Sequence, residues 1–173
     1  FAHLLKNLQT IGQRQLARAS NTPGRTQELN FFAPPISQAK LYLVDMPGYG
    51  FAEAPKDKVA AWNKVLRGYL AGRRSLLRVF VLIDGRHGIK DADNDILKLL
   101  DSAAVSYQGV LTKADKISKQ ELDKVAARTR TALAKHPAAH PDLLVTSSEK
   151  GLGIDILRAT IAKMLSDHGF SST

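Results

Sequence analysis

The stretch LYLVDMPGYGF, residues 41–51, decides the fold. Its apolar run stops at Asp45, and the chain then turns through Pro47-Gly48, which is the pattern of a strand followed by a turn. The run LNFF, residues 29–32, has the same strand character, and Pro34-Pro35 lies between the two runs. We therefore predict an antiparallel hairpin whose second strand ends at Asp45.

Strands and helices alternate after this hairpin. Apolar runs predict three more strands, which are RVFVLID (78–84), YQGVLT (107–112) and LLVTSS (143–148). Amphipathic periodicity predicts helices over residues 57–72, 91–102, 118–136 and 153–166, and Gly169 is a stop signal beyond the last one. We therefore predict one α/β domain over residues 1–173. Its sheet is doubly wound and mostly parallel, with one antiparallel edge hairpin and helices on both faces.

The charge of the chain indicates an anionic partner. The net charge is +9 and the pI is near 9.9. Residues 56–78 combine one acidic residue, Asp57, with seven basic residues, which are Lys56, Lys58, Lys64, Arg67, Arg73, Arg74 and Arg78. This surplus favours binding to RNA phosphates without base specificity, although a basic surface that serves only solubility also explains it. The same stretch contains the predicted helix 57–72, whose apolar face carries Val59, Trp62, Leu66, Tyr69 and Leu70.

Composition excludes some classes of protein and indicates the cellular compartment. The longest apolar run, residues 79–83, is too short to cross a bilayer, so we expect no membrane span. No cysteine is present, which excludes thiol catalysis and thiolate metal sites. The absence of cysteine also fits a reducing compartment such as the cytoplasm.

Three polar clusters follow predicted strands: DMPG (45–48), TKAD (112–115) and TSSEKG (146–151). Each cluster taken alone is explained by a turn or a loop. In doubly wound sheets, however, ligands bind beyond the carboxyl ends of the strands, so the three clusters converge on one edge. This convergence predicts a ligand site.

Two of the clusters suit a guanine base. A carboxylate at Asp115 can accept both the N1–H and the exocyclic amine of guanine, which adenine does not offer. The methylene stem of Lys113 can cover the base plane while its ammonium group stays in water. Ser147 and Ser148 can offer backbone N–H groups to the base oxygen.

The remaining cluster and an earlier segment suit the phosphates. Asp45 fits a water-bridged Mg²⁺ contact, and the backbone N–H of Gly48 fits a γ-phosphate. The segment SNTPGRTQ, residues 20–27, fits a mobile switch whose Thr26 hydroxyl reaches Mg²⁺, although a Pro-Gly turn explains it when taken alone. His87, in DGRHGIK, is explained as a structural loop residue rather than as a proton shuttle.

The chain resembles the EngB (YsxC/YihA) family of ribosome-biogenesis GTPases, in the translation-factor-like class of P-loop NTPases. Five segments carry the resemblance in this order: LARASNTPGRTQELNFF (16–32), LVDMPGYGFA (43–52), LIDGRHGIKDAD (82–93), VLTKADK (110–116) and SSEKGLG (147–153). The resemblance implies GTP and GDP as ligands, Mg²⁺ as the metal, and slow GTP hydrolysis. It also implies a cytoplasmic monomer that acts in assembly of the large ribosomal subunit and in cell division (septation), with the subunit or its precursor as partner and rRNA bound through residues 56–78.

The resemblance also implies nucleotide-binding roles for four sets of residues. They are the first switch (Gly24, Arg25, Thr26, Gln27, Glu28), the γ-phosphate sensor (Asp45, Met46, Pro47, Gly48), the guanine reader (Thr112, Lys113, Ala114, Asp115) and the base-supporting loop (Thr146, Ser147, Ser148). It places Thr26 on Mg²⁺ directly and Asp45 on Mg²⁺ through water.

Two features depart from common GTPase patterns. The family continues an opening FA into Gly-x-x-x-x-Gly-Lys-Ser, whereas His3-Leu4-Leu5 follows here, and this loop stabilises the β-phosphate. We expect that the loop is missing or altered near residues 1–15, with a chain break at Ala2–His3 or within the next dozen residues. Tyr49 stands where many GTPases carry a water-orienting glutamine, a position the family shares. We therefore expect slow hydrolysis that a partner stimulates.

Two functions fit these residues. The first is a GTP-hydrolysing switch in assembly of the large ribosomal subunit. The alternative is a degenerate GTPase that no longer binds nucleotide and acts as an rRNA-binding assembly factor. The two differ in the phosphate loop.

Overall fold

The computed structural model describes residues 30–32, 42–46, 66–70 and 75–169. Their strands are β1 (Asn30–Phe32), β2 (Leu43–Asp45), β3 (Val79–Asp84), β4 (Tyr107–Thr112) and β5 (Leu144–Val145). Their helices are α1 (Asp91–Ser102), α2 (Lys119–Leu133) and α3 (Ile154–Asp167), together with a short 3-10 helix at Ala114–Lys116. Residues 66–70 are also helical. The α/β class predicted from the sequence is confirmed.

The predicted hairpin is present. Strands β1 and β2 pair antiparallel, with Asn30 opposite Asp45 and Phe32 opposite Leu43. Residues 34 and 35, which were predicted to form the turn, lie outside the described part of the chain. Met46, directly after β2, packs against the same apolar core as the parallel strands, so the end of the hairpin lies beside that core.

Strands β3, β4 and β5 form a parallel sheet in that order. Within the described residues, this sheet and the hairpin are hydrogen-bonded as two separate sheets. The register places Val79 opposite Tyr107, Asp84 opposite Thr112, and Leu111 opposite Val145. Strand β4 is the central strand, and its residues 107–111 are all buried, which explains why its sequence reads as a continuous run without polar alternation.

Helices cover both faces of the parallel sheet. On one face, Leu97 of α1 and Val125 of α2 pack with Ile83 and Leu111. On the other face, Leu157 of α3 packs with the neighbouring strand residue Val110. Successive side chains of a strand point to opposite faces, so the adjacent pair Val110 and Leu111 serves the two cores.

Helix ends follow local chemistry, and both ends of α2 and of α3 differ from the sequence prediction, by one residue except at the end of α2. Helix α2 begins after Ser118, whose Oγ accepts a hydrogen bond of 3.2 Å from the backbone N–H of Glu121. It ends at Leu133 rather than at residue 136, because Pro137 restricts the residue before it to extended conformations. Helix α3 ends at Asp167, and Gly169 follows with a φ of +80°, as its position as a stop signal predicts.

The helix predicted over residues 57–72 is described only at 66–70. There Leu66 and Leu70 are buried in the core and Tyr69 packs against it, whereas Arg67 is exposed. The predicted apolar face is therefore confirmed for these three residues, and Val59 and Trp62 lie outside the described part. Of the helices described, none is long and apolar enough to span a membrane.

Candidate functional site

The carboxyl ends of the three parallel strands meet at one edge of the sheet. Asp84 at the end of β3 lies opposite Thr112 at the end of β4, and Val145 at the end of β5 lies opposite Leu111. The clusters TKAD and TSSEKG follow β4 and β5 directly, so the structure brings them together as predicted. Asp84 joins them at this edge, although the sequence argument did not assign it a role.

Asp115 is a carboxylate held by two partners at this edge. Its Oδ1 accepts a hydrogen bond of 2.5 Å from the Ser147 hydroxyl, and its Oδ2 lies 3.1 Å from the ammonium group of Lys116. Only 8% of the Asp115 side chain is exposed. The Ser147 hydrogen bond, helped by Lys116, holds the pKa of Asp115 below its ordinary value. The carboxylate is therefore ionised and fixed in orientation at neutral pH.

Backbone hydrogen bonds fix the two loops against each other. The N–H of Ala114 donates to the carbonyl of Thr146 at 3.1 Å, and Thr146 donates both its N–H and its hydroxyl to the carbonyl of Leu111, at 2.7 and 3.0 Å. Thr146 and Ser147 are fully buried, and Ser148 is half-buried. Strand β5 ends at Val145 instead of at residue 148, because the Ser147 N–H donates to the Leu152 carbonyl of the following loop and not to β4.

The loop after β5 closes around Ser147. The Ser147 hydroxyl accepts from the backbone N–H of Lys150 at 3.1 Å, and the Ser147 N–H donates to the carbonyl of Leu152 at 2.9 Å. In this structure the Ser147 N–H is therefore used within the loop and is not offered to a base oxygen as the sequence predicted. Gly153 then turns into α3 with a φ of +66°, and a Cβ at this position would overlap the carbonyl of Val145. Glycine is therefore required at 153 both by the backbone conformation and by the lack of space.

Lys113, which the sequence predicts to cover the base plane, is held by its backbone conformation and by an ion pair. It has a left-handed backbone conformation, with a φ of +57°, which is uncommon for a residue other than glycine. Its Nζ donates to Oδ2 of Asp84 at 2.9 Å. This ion pair fixes the far end of the stem, and half of the side chain remains exposed.

Asp84 and Lys116 organise the surroundings of the site, and the sequence argument missed both. Asp84 accepts from Nε of Arg86 at 2.9 Å and from its terminal nitrogen at 2.7 Å. These hydrogen bonds, together with that of Lys113, hold the pKa of Asp84 well below its usual range. Lys116 bridges Asp115 to Glu149, its Nζ lying 2.5 Å from the Glu149 carboxylate. The signal for Asp84 was present, because an aspartate that ends a buried parallel strand lies at the same edge as the guanine reader.

The phosphate end of the predicted site is described only at Asp45 and Met46. Asp45 ends β2 and is half-buried, and this burial raises its pKa above the ordinary value. A bound cation would offset that shift by favouring the charged form, so the carboxylate suits the predicted water-bridged Mg²⁺ contact. Within residues 30–32, 42–46, 66–70 and 75–169, no group of three or more acidic or histidine side chains could hold a metal ion. The predicted Mg²⁺ contact needs only the Asp45 carboxylate and the Thr26 hydroxyl. Thr26 lies outside the described residues, so this contact stays a prediction.

The other predicted phosphate ligands lie outside the described residues. They are Gly24, Arg25, Thr26, Gln27, Glu28, Pro47 and Gly48. The expected chain break near Ala2–His3 lies outside them as well, as does Tyr49.

The guanine end can recognise a planar base edge that offers two neighbouring donors. Each oxygen of an ionised carboxylate has about two lone-pair sites, so Asp115 retains acceptor capacity beside its bonds to Ser147 and Lys116. An ionised acceptor also strengthens hydrogen bonds relative to a neutral one. The fixed carboxylate, the Lys113 stem and the buried residues Thr146 and Ser147 are the features that we expect to hold a guanine base.

Removing the Ser147 hydroxyl is expected to raise the pKa of Asp115. The wild-type pKa lies below 3.8, so the stabilisation from the ionised carboxylate is present above that value and is lost as the pH falls through the folded-state pKa. In Ser147→Ala this loss should begin at a higher pH. The measurement is an NMR titration of the Asp115 side-chain carboxyl carbon.

Ser102→Ala is the control for this titration. It removes a hydroxyl that donates to the Lys98 carbonyl on α1, away from the site, and should leave the pKa of Asp115 unchanged. Equal pKa values in Ser147→Ala and wild type would contradict the role given to Ser147.

The chain is similar to known GTP-binding proteins. Residues 3–113 match the family described as "50S ribosome-binding GTPase". The probable GTP-binding protein EngB of Cereibacter sphaeroides is 59% identical over 153 residues, which cover 88% of this chain and 69% of that protein. The protein of the same name from Bartonella quintana is 59% identical over 161 residues, which cover 90% of this chain and 75% of that protein.

A solved structure shows the same fold. The translation elongation factor SelB from Methanococcus maripaludis, in complex with the GTP analogue GppNHp, superposes with a TM-score of 0.67 at 21% identity. The match covers 95% of this chain and 30% of that factor. At this identity the likeness supports the fold and not the activity.

Proposed function

Because the chain belongs to the EngB family of GTP-binding proteins, we propose that it is a GTP-hydrolysing switch that acts in assembly of the large ribosomal subunit. The observation that carries the proposal is the ionised, buried Asp115 held between Ser147 and Lys116 at the edge where three parallel strands end. We propose further that the protein acts in the cytoplasm as a monomer.

The base is selected by Asp115. Guanine presents N1–H and an exocyclic amine to the two carboxylate oxygens, whereas adenine presents no matching pair of donors. The Lys113 stem would cover the base plane, and the pairing of Lys113 with Asp84 supports this role by fixing the end of the side chain. The N–H groups of Thr146 and Ser147 donate to the Leu111 and Leu152 carbonyls, so the loop that carries Thr146, Ser147 and Ser148 supports the base through the Ser147 hydroxyl, which orients Asp115. These contacts account for GTP and GDP as ligands.

The phosphates are sensed by the segments around Thr26 and Asp45. The Thr26 hydroxyl and, through water, the Asp45 carboxylate would hold Mg²⁺, which neutralises phosphate charge when bound. The backbone N–H of Gly48 would donate to the γ-phosphate and be released after hydrolysis. Tyr49 offers no amide to orient an attacking water, so this chain by itself hydrolyses GTP slowly and depends on a partner for stimulation.

The partner surface includes the basic stretch 56–78. Arg67 is exposed on its helix and available to a phosphate. Arg78 differs, because it is half-buried and donates to the Gln108 side chain at 2.9 Å. Arg78 is therefore engaged with a side chain of β4, and we expect the other basic residues of the stretch to contact RNA.

Binding to the large ribosomal subunit should depend on the nucleotide. The 173 residues contain no Gly-x-x-x-x-Gly-Lys-Ser segment, so the experiment uses the chain with such a loop placed ahead of His3. We expect the form bound to a non-hydrolysable GTP analogue to pellet with large subunits at least about tenfold more tightly than the GDP form. Small subunits are the control. Equal affinity of the two nucleotide forms for large subunits would contradict a switch.

The basic stretch is tested in the same pelleting experiment. Changing Lys64, Arg67, Arg73 and Arg74 to Gln should weaken binding to large subunits and flatten its salt dependence, by about 0.7 to 0.9 in the log–log slope for each lost phosphate contact. GDP affinity should stay at the wild-type value. Unchanged particle binding would place the partner surface elsewhere on the molecule.

A further inference from the structure

A cavity of about 240 Å³ lies between the loop after β3 and helices α1 and α2. Its polar lining comes from His87 in the loop, Asn94 on α1, and Arg128 and Thr129 on α2, and its apolar lining includes Ile89 and Val125. The guanine reader contributes no residue to this lining. The cavity is therefore separate from the site described above.

The Thr129 hydroxyl indicates that the cavity is built to hold a ligand. Thr129 is 1% exposed, and its Oγ1 is buried without a hydrogen-bond partner. A helical threonine commonly satisfies its hydroxyl by donating to the carbonyl four residues earlier, and an unsatisfied buried hydroxyl is costly. Gly88 leaves room beside this oxygen, since a Cβ on Gly88 would lie 3.4 Å from Oγ1 at a φ of +77°.

The other polar side chains of the cavity are also available to a ligand. Within the described residues, Arg128, Asn94 and His87 form no side-chain hydrogen bond or ion pair. Arg86, Lys113 and Lys116, by contrast, are paired with carboxylates. The free groups all carry N–H or O–H donors, so the cavity suits a ligand rich in acceptors and negative in charge.

The size of the cavity and the charges around it indicate which class of ligand it can hold. Small-molecule pockets generally exceed about 300 Å³, so this cavity fits a group that belongs to a larger partner better than a whole nucleotide. Lys124 and Arg128 are exposed and lie one turn apart on α2, about 6 Å along its axis, and the exposed Lys135 follows the end of the helix. Exposed cations of which one lies at a donor-lined cavity match a polyanionic strand.

We propose that this cavity binds a phosphodiester group of RNA, with Arg128 supplying the charge and Asn94, His87 and Thr129 supplying further donors. The inference rests on the proposed function, because it assigns a contact to a partner that contains RNA. It adds a second point of attachment to that partner, on α2, which the basic stretch 56–78 does not include.

The test is fluorescence anisotropy of a labelled RNA hairpin with the full chain. Losing one phosphate contact should lower the log–log salt slope by about 0.7 to 0.9, which is about a sixfold loss of affinity at about 0.1 M salt. We expect this from Arg128→Gln. Thr129→Val keeps the shape and removes the hydroxyl, so it should weaken RNA binding by about threefold while the thermal midpoint stays level or rises.

Arg130→Gln is the matched control, since it removes the same charge two residues further along the same helix. Two residues turn the side chain by about 200° around the axis, so its RNA affinity should stay within about twofold of wild type. Equal losses in Arg128→Gln and Arg130→Gln would show a diffuse charge effect and overturn the cavity assignment. Inorganic phosphate that shifts the Thr129 and Asn94 amide signals at the same concentrations as RNA would assign the cavity to a free anion and overturn it as well.

Binding to large ribosomal subunits separates this inference from the function it rests on. If wild type binds both the hairpin and the subunits, and Arg128→Gln and Thr129→Val bind the hairpin equally well, the cavity assignment is wrong and the proposed function stands. If wild type binds neither, both are wrong.

Discussion

Asp115→Asn should reduce the affinity for GDP by at least about 100-fold and create a preference for the xanthine nucleotide. The carboxylate accepts from two donors of guanine, whereas an amide replaces one of its acceptors with a donor. Xanthine carries a carbonyl where guanine carries its amine, so it accepts from the new amide group. Charged acceptors form the stronger hydrogen bonds, and removing one also leaves a guanine donor unpaired, which explains why the expected loss is large.

The measurement is calorimetry with GDP, XDP and ADP on the chain that carries the Gly-x-x-x-x-Gly-Lys-Ser loop. Asp123→Asn is the matched control, because it makes the same chemical change at an exposed position on α2. It should bind GDP as wild type does. Equal affinity of the wild-type protein for GDP and ADP would sink the assignment of Asp115 as the guanine reader.

The sequence was sufficient to predict Asp115 and Ser147 as neighbours, because two rules act together. Continuous apolar runs identified β4 with its exact bounds and placed β5, and parallel strands in one sheet bring their carboxyl ends to the same edge. The hydrogen bond between the two side chains then follows from residues that are 32 positions apart in the chain. The order of strands along the chain was enough to place the two loops at one edge, and the nucleotide-binding roles given to their residues stay predictions.

The same rules did not predict the ion pairs around the site. Lys113 meets Asp84 because its backbone is left-handed, and no glycine or asparagine at 113 signals that conformation. Lys116 meets Glu149 across two loops, and contacts between exposed side chains of loops depend on loop geometry rather than on periodicity. The end of helix α2 was predicted wrongly for a related reason. At the end of α2 the restriction imposed by Pro137 outweighed a helical pattern that continued to residue 136.

The position of Asp115 depends on the backbone of the loop before α3, in particular on the lack of a side chain at Gly153. A Cβ at Gly153 would overlap the carbonyl of Val145, so glycine at this position lets the loop 146–153 return against β5 before α3 begins. The preceding Leu152 carbonyl accepts from the Ser147 N–H, and the Ser147 hydroxyl donates to Asp115. Any displacement at 153 therefore reaches Asp115 through two hydrogen bonds.

Gly153→Ala should destabilise the protein by about 3 kcal/mol, which corresponds to a fall in Tm of about 6–12 °C for a chain of this size. Part of the loss is the strain of a Cβ at positive φ, about 1–2 kcal/mol, and the rest comes from its overlap with the Val145 carbonyl, which belongs to backbone and cannot rotate away. Gly151→Ala isolates the first part, because Gly151 has a φ of +71° but no atom within 4 Å of its added Cβ. Urea unfolding followed by circular dichroism should therefore show the smaller loss, about 1–2 kcal/mol, for Gly151→Ala. Equal losses in the two variants would mean that the loop relaxes at no cost and that the Val145 carbonyl does not hold it in place.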